Sequence, residues 1–251
     1  MNKLLIAILY IAMFHIYAEN AHAKSSSEKT VEFYAGISLG WDHMIAKTNE
    51  ELVAGATNTK LNFSNRSQTA NGLTGKVIVG ILWNIPGTKF VLSPELYIGQ
   101  GNAQITRTES LQDPIGNTDK TLQSSLKQGL NMGIVLRTGF YLTQCQNNMV
   151  YLLIGVDQTK FENRFTLSST PFFGGYIPPV SEKRSKFLRS PIIGVGFEKK
   201  FCRFKVGIDL RYLNYSAWDK YAIQAPVSND KVYIKFKPRI FSTTLNICYL
   251  F

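Results

Sequence analysis

Seven ionisable residues of this 251-residue chain fall on the face opposite the apolar side chains, within segments that alternate with strand periodicity. They are Asp42, Lys76, Glu95, Arg137, Asp157, Asp209 and Arg211. If those segments close into a small β-barrel, the seven side chains point into its interior, where an unpaired charge is costly. We therefore expect a packed lumen network of ion pairs. We favour this structural role over the alternative, a gate for a narrow ion pore.

A catalytic role is considered for His43, the one histidine that remains if an N-terminal leader is removed. Histidine-dependent hydrolysis needs a nucleophile and an orienting carboxylate around the imidazole. A lone histidine near the end of a strand is more typical of a polar side chain in an interfacial belt. The sequence has no phosphate-binding loop, dinucleotide-binding motif or metalloprotease helix, so we expect no enzymatic activity.

Three cysteines, Cys145, Cys202 and Cys248, are spread through the chain. None has CxxC spacing and no histidine lies near them, so we expect neither a metal nor another cofactor. Cys145 and Cys202 fall in turns predicted at the same end of the molecule and are candidates for a disulfide. An odd count then leaves Cys248 unpaired, on the inner face of the last strand.

The formal net charge is +11, and basic residues concentrate near two long predicted connections. The residues expected to form a basic external rim are Lys183, Arg184, Lys186, Arg189, Lys231, Lys235, Lys237 and Arg239. Such a rim favours the phosphates of lipopolysaccharide and other outer-membrane lipid, or host glycans and other polyanions, as partners. Nucleic acid binding is not expected as a function of an exported chain.

The chain ends in an alternating segment, Phe241 to Phe251. One face carries Phe241, Leu245, Ile247, Tyr249 and Phe251, and the other face is largely small and polar. About 9–11 residues are enough for a tilted strand to cross a bilayer. The segment therefore predicts a membrane-spanning strand.

The N-terminus predicts export. Lys3 precedes an apolar run from Leu4 to Ala18, and Ala21-His22-Ala23 supplies a small-x-small cleavage site. We expect residues 1–23 to be a signal peptide and residues 24–251 to form one barrel domain. No later apolar run reaches 18 residues, so no transmembrane helix is predicted.

Periodicity from Val31 onward predicts an all-β fold, an eight-stranded antiparallel up-and-down transmembrane barrel. Short turns are expected near residues 85, 145 and 200, with longer connections near 55, 113, 174 and 225. The predicted loops are Lys47 to Arg66, Thr108 to Asp119, Leu167 to Ser181 and Asp219 to Asp230. Pro94 lies inside the third strand, where it predicts a bulge or a locally missing bond.

The segment Ser190 to Ser216 resembles the penultimate hairpin of opacity-type and OmpA-type eight-stranded surface proteins. The matching residues are Pro191, Gly194, Gly196, Phe197, Asp209, Arg211, Tyr212 and Tyr215. YAGISLGW at residues 34–41 resembles the first strand of that family, and the terminal Phe251 resembles its C-terminal signature, which the barrel-assembly machinery reads.

This resemblance implies a bacterial outer-membrane barrel with a charged plug in the lumen. It also implies a surface role such as adhesion, immune exposure or envelope integrity, without the peptidoglycan-binding domain of full OmpA-type proteins. Two alternatives stay open. One is a narrow ion-conducting porin, and the other is a lipid A-modifying enzyme of the kind known on this scaffold.

Overall fold

The computed structural model describes residues 30–53, 60–112, 119–142, 147–168, 180–224 and 231–251. These ranges contain ten strands and no helix. The strands are β1 (Val31–Val53), β2 (Lys60–Asn84), β3 (Phe90–Gly101), β4 (Gln104–Gln112), β5 (Asp119–Tyr141), β6 (Asn148–Ser168), β7 (Val180–Phe201), β8 (Phe204–Asn214), β9 (Trp218–Gln224) and β10 (Lys231–Leu250). No helix long and apolar enough to cross a membrane occurs in the described ranges.

The strands form one antiparallel sheet that closes on itself, because β1 pairs with both β2 and β10. β3 and β4 follow one another along β5, and β8 and β9 follow one another along β10. Ten strands therefore fill eight positions around the ring, and the predicted eight-stranded up-and-down barrel is confirmed. Residues alternate strictly between buried and accessible positions along β8. The core thus lies inside the ring.

The two ends of the barrel differ in their connections. Short turns join β2 to β3, β5 to β6 and β7 to β8, and the described chain starts and ends at this same end. In the first of these turns Gly87 has a φ of +73°, which glycine adopts without steric cost. The four longer connections, after β1, β4, β6 and β9, all lie at the opposite end, called here the long-connection end.

The strands at the long-connection end are longer than the sequence predicts. The predicted loop from Lys47 to Arg66 is wrong over most of its length, since β1 continues to Val53 and β2 begins at Lys60. The predicted loop from Asp219 to Asp230 likewise includes most of β9. Cross-strand backbone pairing continues there while the outer face turns polar, so the apolar alternation that marks a strand disappears.

The turn between β7 and β8 is also displaced. The sequence predicts a turn around Lys199 and Lys200, but β7 runs through both to Phe201, and the turn residues are Cys202 and Arg203. Cys202 has a φ of +43°, in the left-handed region that glycine and asparagine usually fill. Composition alone does not mark such a turn.

Pro94 interrupts pairing on one side of β3. The β2–β3 partners skip Ile81 and Leu82, which lie opposite Ser93 and Pro94, and then resume in the same register. The predicted third strand is further divided at residues 102 and 103, which separate β3 from β4. A one-residue register shift between Gln128 and Asn131 of β5 marks a β-bulge at the same level.

Candidate functional site

The lower half of the barrel interior, nearer the short turns, is organised around the guanidinium of Arg137 on β5. Its Nη2 lies 2.8 Å from Oε2 of Glu95 and 3.3 Å from Oδ2 of Asp209, and its Nη1 lies 3.3 Å from Oε2 of Glu198. The guanidinium also lies 5.0 Å from the ring centroid of Tyr151. One side chain thus ties together strands β3, β5, β7 and β8.

Together with Arg137, two further cations neutralise the three carboxylates. Lys205 donates to Glu198 at 3.1 Å, and Arg211 lies 2.6 Å from Asp209 and 3.6 Å from Glu95. The Lys205 ammonium also lies 3.3 Å from the ring centroid of Tyr34. We call Glu95, Arg137, Glu198, Lys205, Asp209 and Arg211 the Arg137 cluster. It holds equal numbers of acids and bases, all of them buried, which is the condition under which buried charge is tolerated.

A second polar group lies further toward the long-connection end. Asp157 accepts hydrogen bonds from Tyr97, from Thr159 and, at 2.8 Å, from Tyr215. Asp42 accepts one from Gln128 at 2.9 Å and another from Ser242. Hydroxyl and amide donors therefore stabilise these two carboxylates.

Lys76 lies between those two carboxylates and lines a small cavity with them. Its ammonium is 4.8 Å from the ring centroid of Tyr97, and no hydrogen bond or ion pair to it is present among the described residues. The amide oxygens of Gln128 and Asn131, which line the same cavity, are buried without a partner. A polar cavity with two free acceptors and an ammonium suits an ordered water.

Apolar side chains close the interior at both ends of these polar layers. Toward the short turns they are Leu82, Val91, Tyr141, Met149 and Leu250, and toward the long-connection end they are Leu126, Phe161, Phe165, Leu188, Trp218 and Phe236. All of these side chains are buried. Apart from the small cavity at Lys76, the described interior is therefore filled with side chains, as expected of a barrel with eight strand positions.

All seven residues assigned to the interior by periodicity are buried in the structure. Glu95, Arg137, Asp209 and Arg211 meet in the Arg137 cluster, while Asp42, Lys76 and Asp157 lie in the second group. Sequence reasoning left Glu198 and Lys205 out of the set. Glu198 was missed because the preceding strand was expected to end at Phe197, whereas Lys205 shares the predicted inner face of Asp209 and Arg211 but was not counted in the network.

Sequence reasoning also missed three tyrosines that stand opposite glycines. The register pairs Tyr34 with Gly80, Tyr97 with Gly133 and Tyr151 with Gly196. A Cβ added at each glycine would lie 2.4–2.5 Å from the facing tyrosine ring or hydroxyl. Each ring lies flat across the neighbouring strand because glycine leaves it room, and its hydroxyl then reaches a buried carboxylate: Glu95, Asp157 and Asp209 respectively.

The outer face of the sheet carries an apolar belt around the whole ring. Its exposed side chains include Leu39 and Trp41 on β1, Val77 and Val79 on β2, Leu96 and Ile98 on β3, Ile134 on β5, Leu152 and Ile154 on β6, Ile193 and Val195 on β7, Leu210 on β8, and Leu245 and Ile247 on β10. A soluble protein does not expose a continuous apolar ring of this kind. The chain is a membrane-spanning β-barrel.

The C-terminal strand β10 completes that belt. Phe241, Leu245 and Ile247 are exposed on it, and Phe251 is exposed directly after it, where its ring lies edge-on to Tyr249, 5.2 Å between ring centroids. The Phe251 amide donates to the Phe33 carbonyl at 2.9 Å. The residues of the predicted assembly signal thus lie at the β1–β10 seam that closes the barrel.

His43 lies on the outer face, just beyond Trp41 toward the long-connection end. Its Nδ1 is 2.8 Å from Oδ1 of Asn71 on β2. Asp42, the next residue, is buried in the interior, on the other side of the sheet. The one carboxylate adjacent in sequence therefore cannot orient this imidazole.

The predicted rim residues form two patches at the long-connection end. The β7 patch consists of Lys183, Arg184, Lys186 and Arg189, all exposed. The seam patch consists of Lys235, Lys237 and Arg239 of β10 together with Lys47 of β1, all on the outer face. The side chain of Lys231 lies outside the described residues.

The β7 patch has acidic neighbours. Lys183 lies 3.0 Å from Glu162, and Arg184 lies 2.7 Å from Glu182. The hydrogen bond from Lys183 lowers the pKa of the Glu162 carboxyl. For the seam patch, no ion pair with an acid is present among the side chains that the structure describes.

The cysteines give no metal site in the described part of the chain, where no group of histidine, cysteine and acidic residues could hold an ion. Cys202 is exposed at its turn and Cys248 is buried, and they are not joined to each other. Cys145 lies outside the described residues, so a disulfide between Cys145 and Cys202 stays a prediction. The signal peptide at residues 1–23 also lies outside them.

No protein-family model and no curated protein sequence matches the chain. Among solved structures it is similar to OprG of Pseudomonas aeruginosa, an outer membrane protein (14% identity, 90% of this chain and 98% of that one, TM-score 0.48). It is also similar to the Escherichia coli outer membrane protease OmpT (12% identity, 91% and 99%, TM-score 0.41).

A third likeness is to Ail, the attachment invasion locus protein of Yersinia pestis, solved in complex with the heparin analogue sucrose octasulfate (14% identity, 88% and 99%, TM-score 0.34). Two of these three solved structures are outer membrane proteins by name, and one of those two is a protease. The closed sheet and its apolar outer face identify this chain as a membrane barrel independently of such distant likenesses.

Proposed function

We propose that the protein is a bacterial outer-membrane surface protein with a closed lumen, acting without catalysis by binding polyanions through the basic side chains of its long-connection end. The observation that carries the proposal is the β7 patch. On strands β6 and β7, six exposed or partly exposed bases face two acids at that end: Lys160, Arg164, Lys183, Arg184, Lys186 and Arg189 against Glu162 and Glu182. Adhesion and envelope integrity are the roles that such a surface supports.

The connections at the two ends of the barrel support an orientation in the membrane. In outer-membrane barrels short turns face the periplasm and long connections face outward. The chain has three short turns at one end and its longer connections at the other, so the β7 patch would face the cell exterior. The expected signal peptide supports export, and the aromatic C-terminal strand supports recognition by the barrel-assembly machinery.

The lumen supports a structural role more than a conducting one. Six of its charged side chains pair with one another in the Arg137 cluster, and apolar side chains enclose the polar layers from both ends. In planar bilayers the purified protein should leave the baseline current unchanged. A steady single-channel conductance would instead favour the narrow-pore alternative.

Polyanion binding is tested with the full mature chain in detergent micelles and a heparin fragment as ligand. The variant Lys186→Glu/Arg189→Glu should weaken binding roughly tenfold or more, corresponding to about 1.4 kcal/mol, and high salt should abolish the difference. The matched control Lys89→Glu/Arg203→Glu makes the same change in net charge at the short-turn end. Equal losses of heparin affinity in the two variants would mean that only the net charge of the protein matters, and would contradict a defined site.

A further inference from the structure

The seam patch is a cluster of like charges across the strand pair that closes the barrel. Lys47 of β1 lies directly opposite Lys237 of β10, and Arg239 and Lys235 occupy the outward positions on either side of Lys237. Their cross-strand partners are Ile45 and Asn49, which carry no charge. Like charges placed directly opposite in an antiparallel pair repel each other and destabilise it.

Among the side chains that the structure describes, no acid pairs with this cluster. None of the four cations makes an ion pair within the described part of the chain, and Nε of Arg239 is buried there without a hydrogen-bond partner. The neighbouring outward positions on β2 are Ser67 and Thr69, which are also uncharged. The β7 patch differs, because Glu162 and Glu182 lie within it.

The position of the seam patch along the strands, relative to the apolar belt, indicates where its counter-ion lies. Arg239 is two residues beyond Phe241, roughly 7 Å along the strand, and Trp41 faces lipid at the same seam. Phe241 packs against the ring of Tyr212, 4.8 Å between centroids. Aromatic side chains of this kind mark the membrane–water interface, so the cations immediately above them lie at the level of lipid phosphates.

We propose that the seam patch is a binding site for the phosphate groups of a multiply phosphorylated lipid of the outer leaflet, the lipid A portion of lipopolysaccharide. Four cations within a few residues match more than one phosphate. The apolar side chains directly below, Leu39, Trp41 and Leu245, offer a surface for its acyl chains. This inference rests on the outer-membrane location given under Proposed function, but it concerns a different patch and a different ligand.

The bound lipid would have a structural consequence. Its phosphates would cancel the repulsion between Lys47 and Lys237, across the one strand pair that joins the two ends of the chain into a ring. Binding to the folded barrel alone stabilises it by mass action. Lipid A should therefore raise the resistance of the closed barrel to unfolding.

The test uses the mature chain folded in phosphatidylcholine vesicles, with diphosphorylated lipid A, monophosphorylated lipid A or phosphatidylglycerol added in separate arms. Wild-type protein should bind the diphosphorylated lipid at least about tenfold more tightly than either other lipid, and should unfold at higher urea in its presence. Equal affinity for diphosphorylated lipid A and phosphatidylglycerol would overturn the proposal, because the patch would then be a general anionic surface.

Matched variants assign the effect to the seam. Lys47→Gln/Lys237→Gln/Arg239→Gln should lose the preference for diphosphorylated lipid A while keeping the heat-modifiable gel mobility of a folded barrel. Lys183→Gln/Lys186→Gln/Arg189→Gln removes equal charge from the β7 patch and should keep that preference. If the seam variant binds lipid A like wild type, the inference fails. Loss of heparin binding by the β7 variant tests the proposed function separately.

Discussion

The Arg137 cluster and the seam patch hold the same kinds of side chain under opposite conditions. In the cluster, each charge is buried and lies within 4 Å of an opposite charge. In the seam patch, four cations face outward and none forms an ion pair with a side chain that the structure describes. The charges of the Arg137 cluster must be neutralised within the chain because packed side chains separate them from bulk water and lipid. The outer rim can leave its charges to be balanced by whatever surrounds the barrel.

The largest expected effect comes from removing the centre of the interior cluster. Arg137→Met would leave Glu95, Glu198 and Asp209 short of a partner in a buried setting. We expect a loss of roughly 3–5 kcal/mol in the free energy of unfolding, or failure to fold. Arg189→Met, the same substitution at the exposed β7 patch, should change it by no more than about 0.5 kcal/mol. Urea titration in lipid vesicles measures both, and comparable losses would contradict the distinction between interior and rim.

The second-largest expected effect on stability tests where the apolar belt ends and the rim begins. Leu210→Arg places a cation on the lipid-facing side of β8 and should cost roughly 2–4 kcal/mol. Thr106→Arg adds the same side chain to an outward position of β4 at the long-connection end and should cost less than about 1 kcal/mol. Urea midpoints in vesicles report the difference. Tolerance of Arg at position 210 would place that residue outside the hydrocarbon.

This boundary also explains what could be predicted from the sequence. Inside the membrane both faces of each strand are constrained, so period-two alternation marks the strands and assigns Asp209 and Arg211 to the inner face. Beyond the belt the outer face meets water, and segments such as Lys47–Val53 lose the alternation while keeping their backbone pairing. The predicted loops were therefore too long.

Contacts between inward-facing side chains were harder to predict than which side chains face inward. Period-two alternation places Glu95 and Arg137 on the inside. It does not show that they are partners, because that contact depends on the register and stagger between strands. Glu198 was missed because the positive φ at Cys202 allows a tight turn where composition suggests none. The tyrosine–glycine pairs could have been found only once the register was known.

A loss of stability of medium size is expected at Gly196, where an added methyl group would overlap a buried side chain. Gly196→Ala would place a Cβ 2.4 Å from Cζ of Tyr151, whose hydroxyl donates to Asp209. Moving that ring disturbs the Arg137 cluster, so we expect a cost of roughly 1–3 kcal/mol. Gly75→Ala is the matched control, because its nearest neighbour would be Cδ2 of Leu39 at 3.9 Å. Similar urea midpoints for the two variants would show that the tyrosine adjusts freely.

The smallest expected effect concerns an ion pair at the rim, Glu162 with Lys183. The hydrogen bond from Lys183 lowers the pKa of Glu162 below its usual value of 4.5 in the folded state, so the pair stabilises the barrel above the unfolded-state pKa. That contribution is lost as the pH falls through the lower, folded-state pKa. Because both side chains are largely solvated, it should not exceed a few tenths of a kcal/mol.

A double-mutant cycle with Glu162→Gln and Lys183→Gln, measured at neutral and acidic pH, isolates that contribution. The coupling energy should be barely measurable at neutral pH and absent in acid. A coupling as large as the loss expected for Arg137→Met would mean that the rim is shielded from water like the interior. The seam cations could then not remain uncompensated, and a counter-charge within the protein would have to be sought for them.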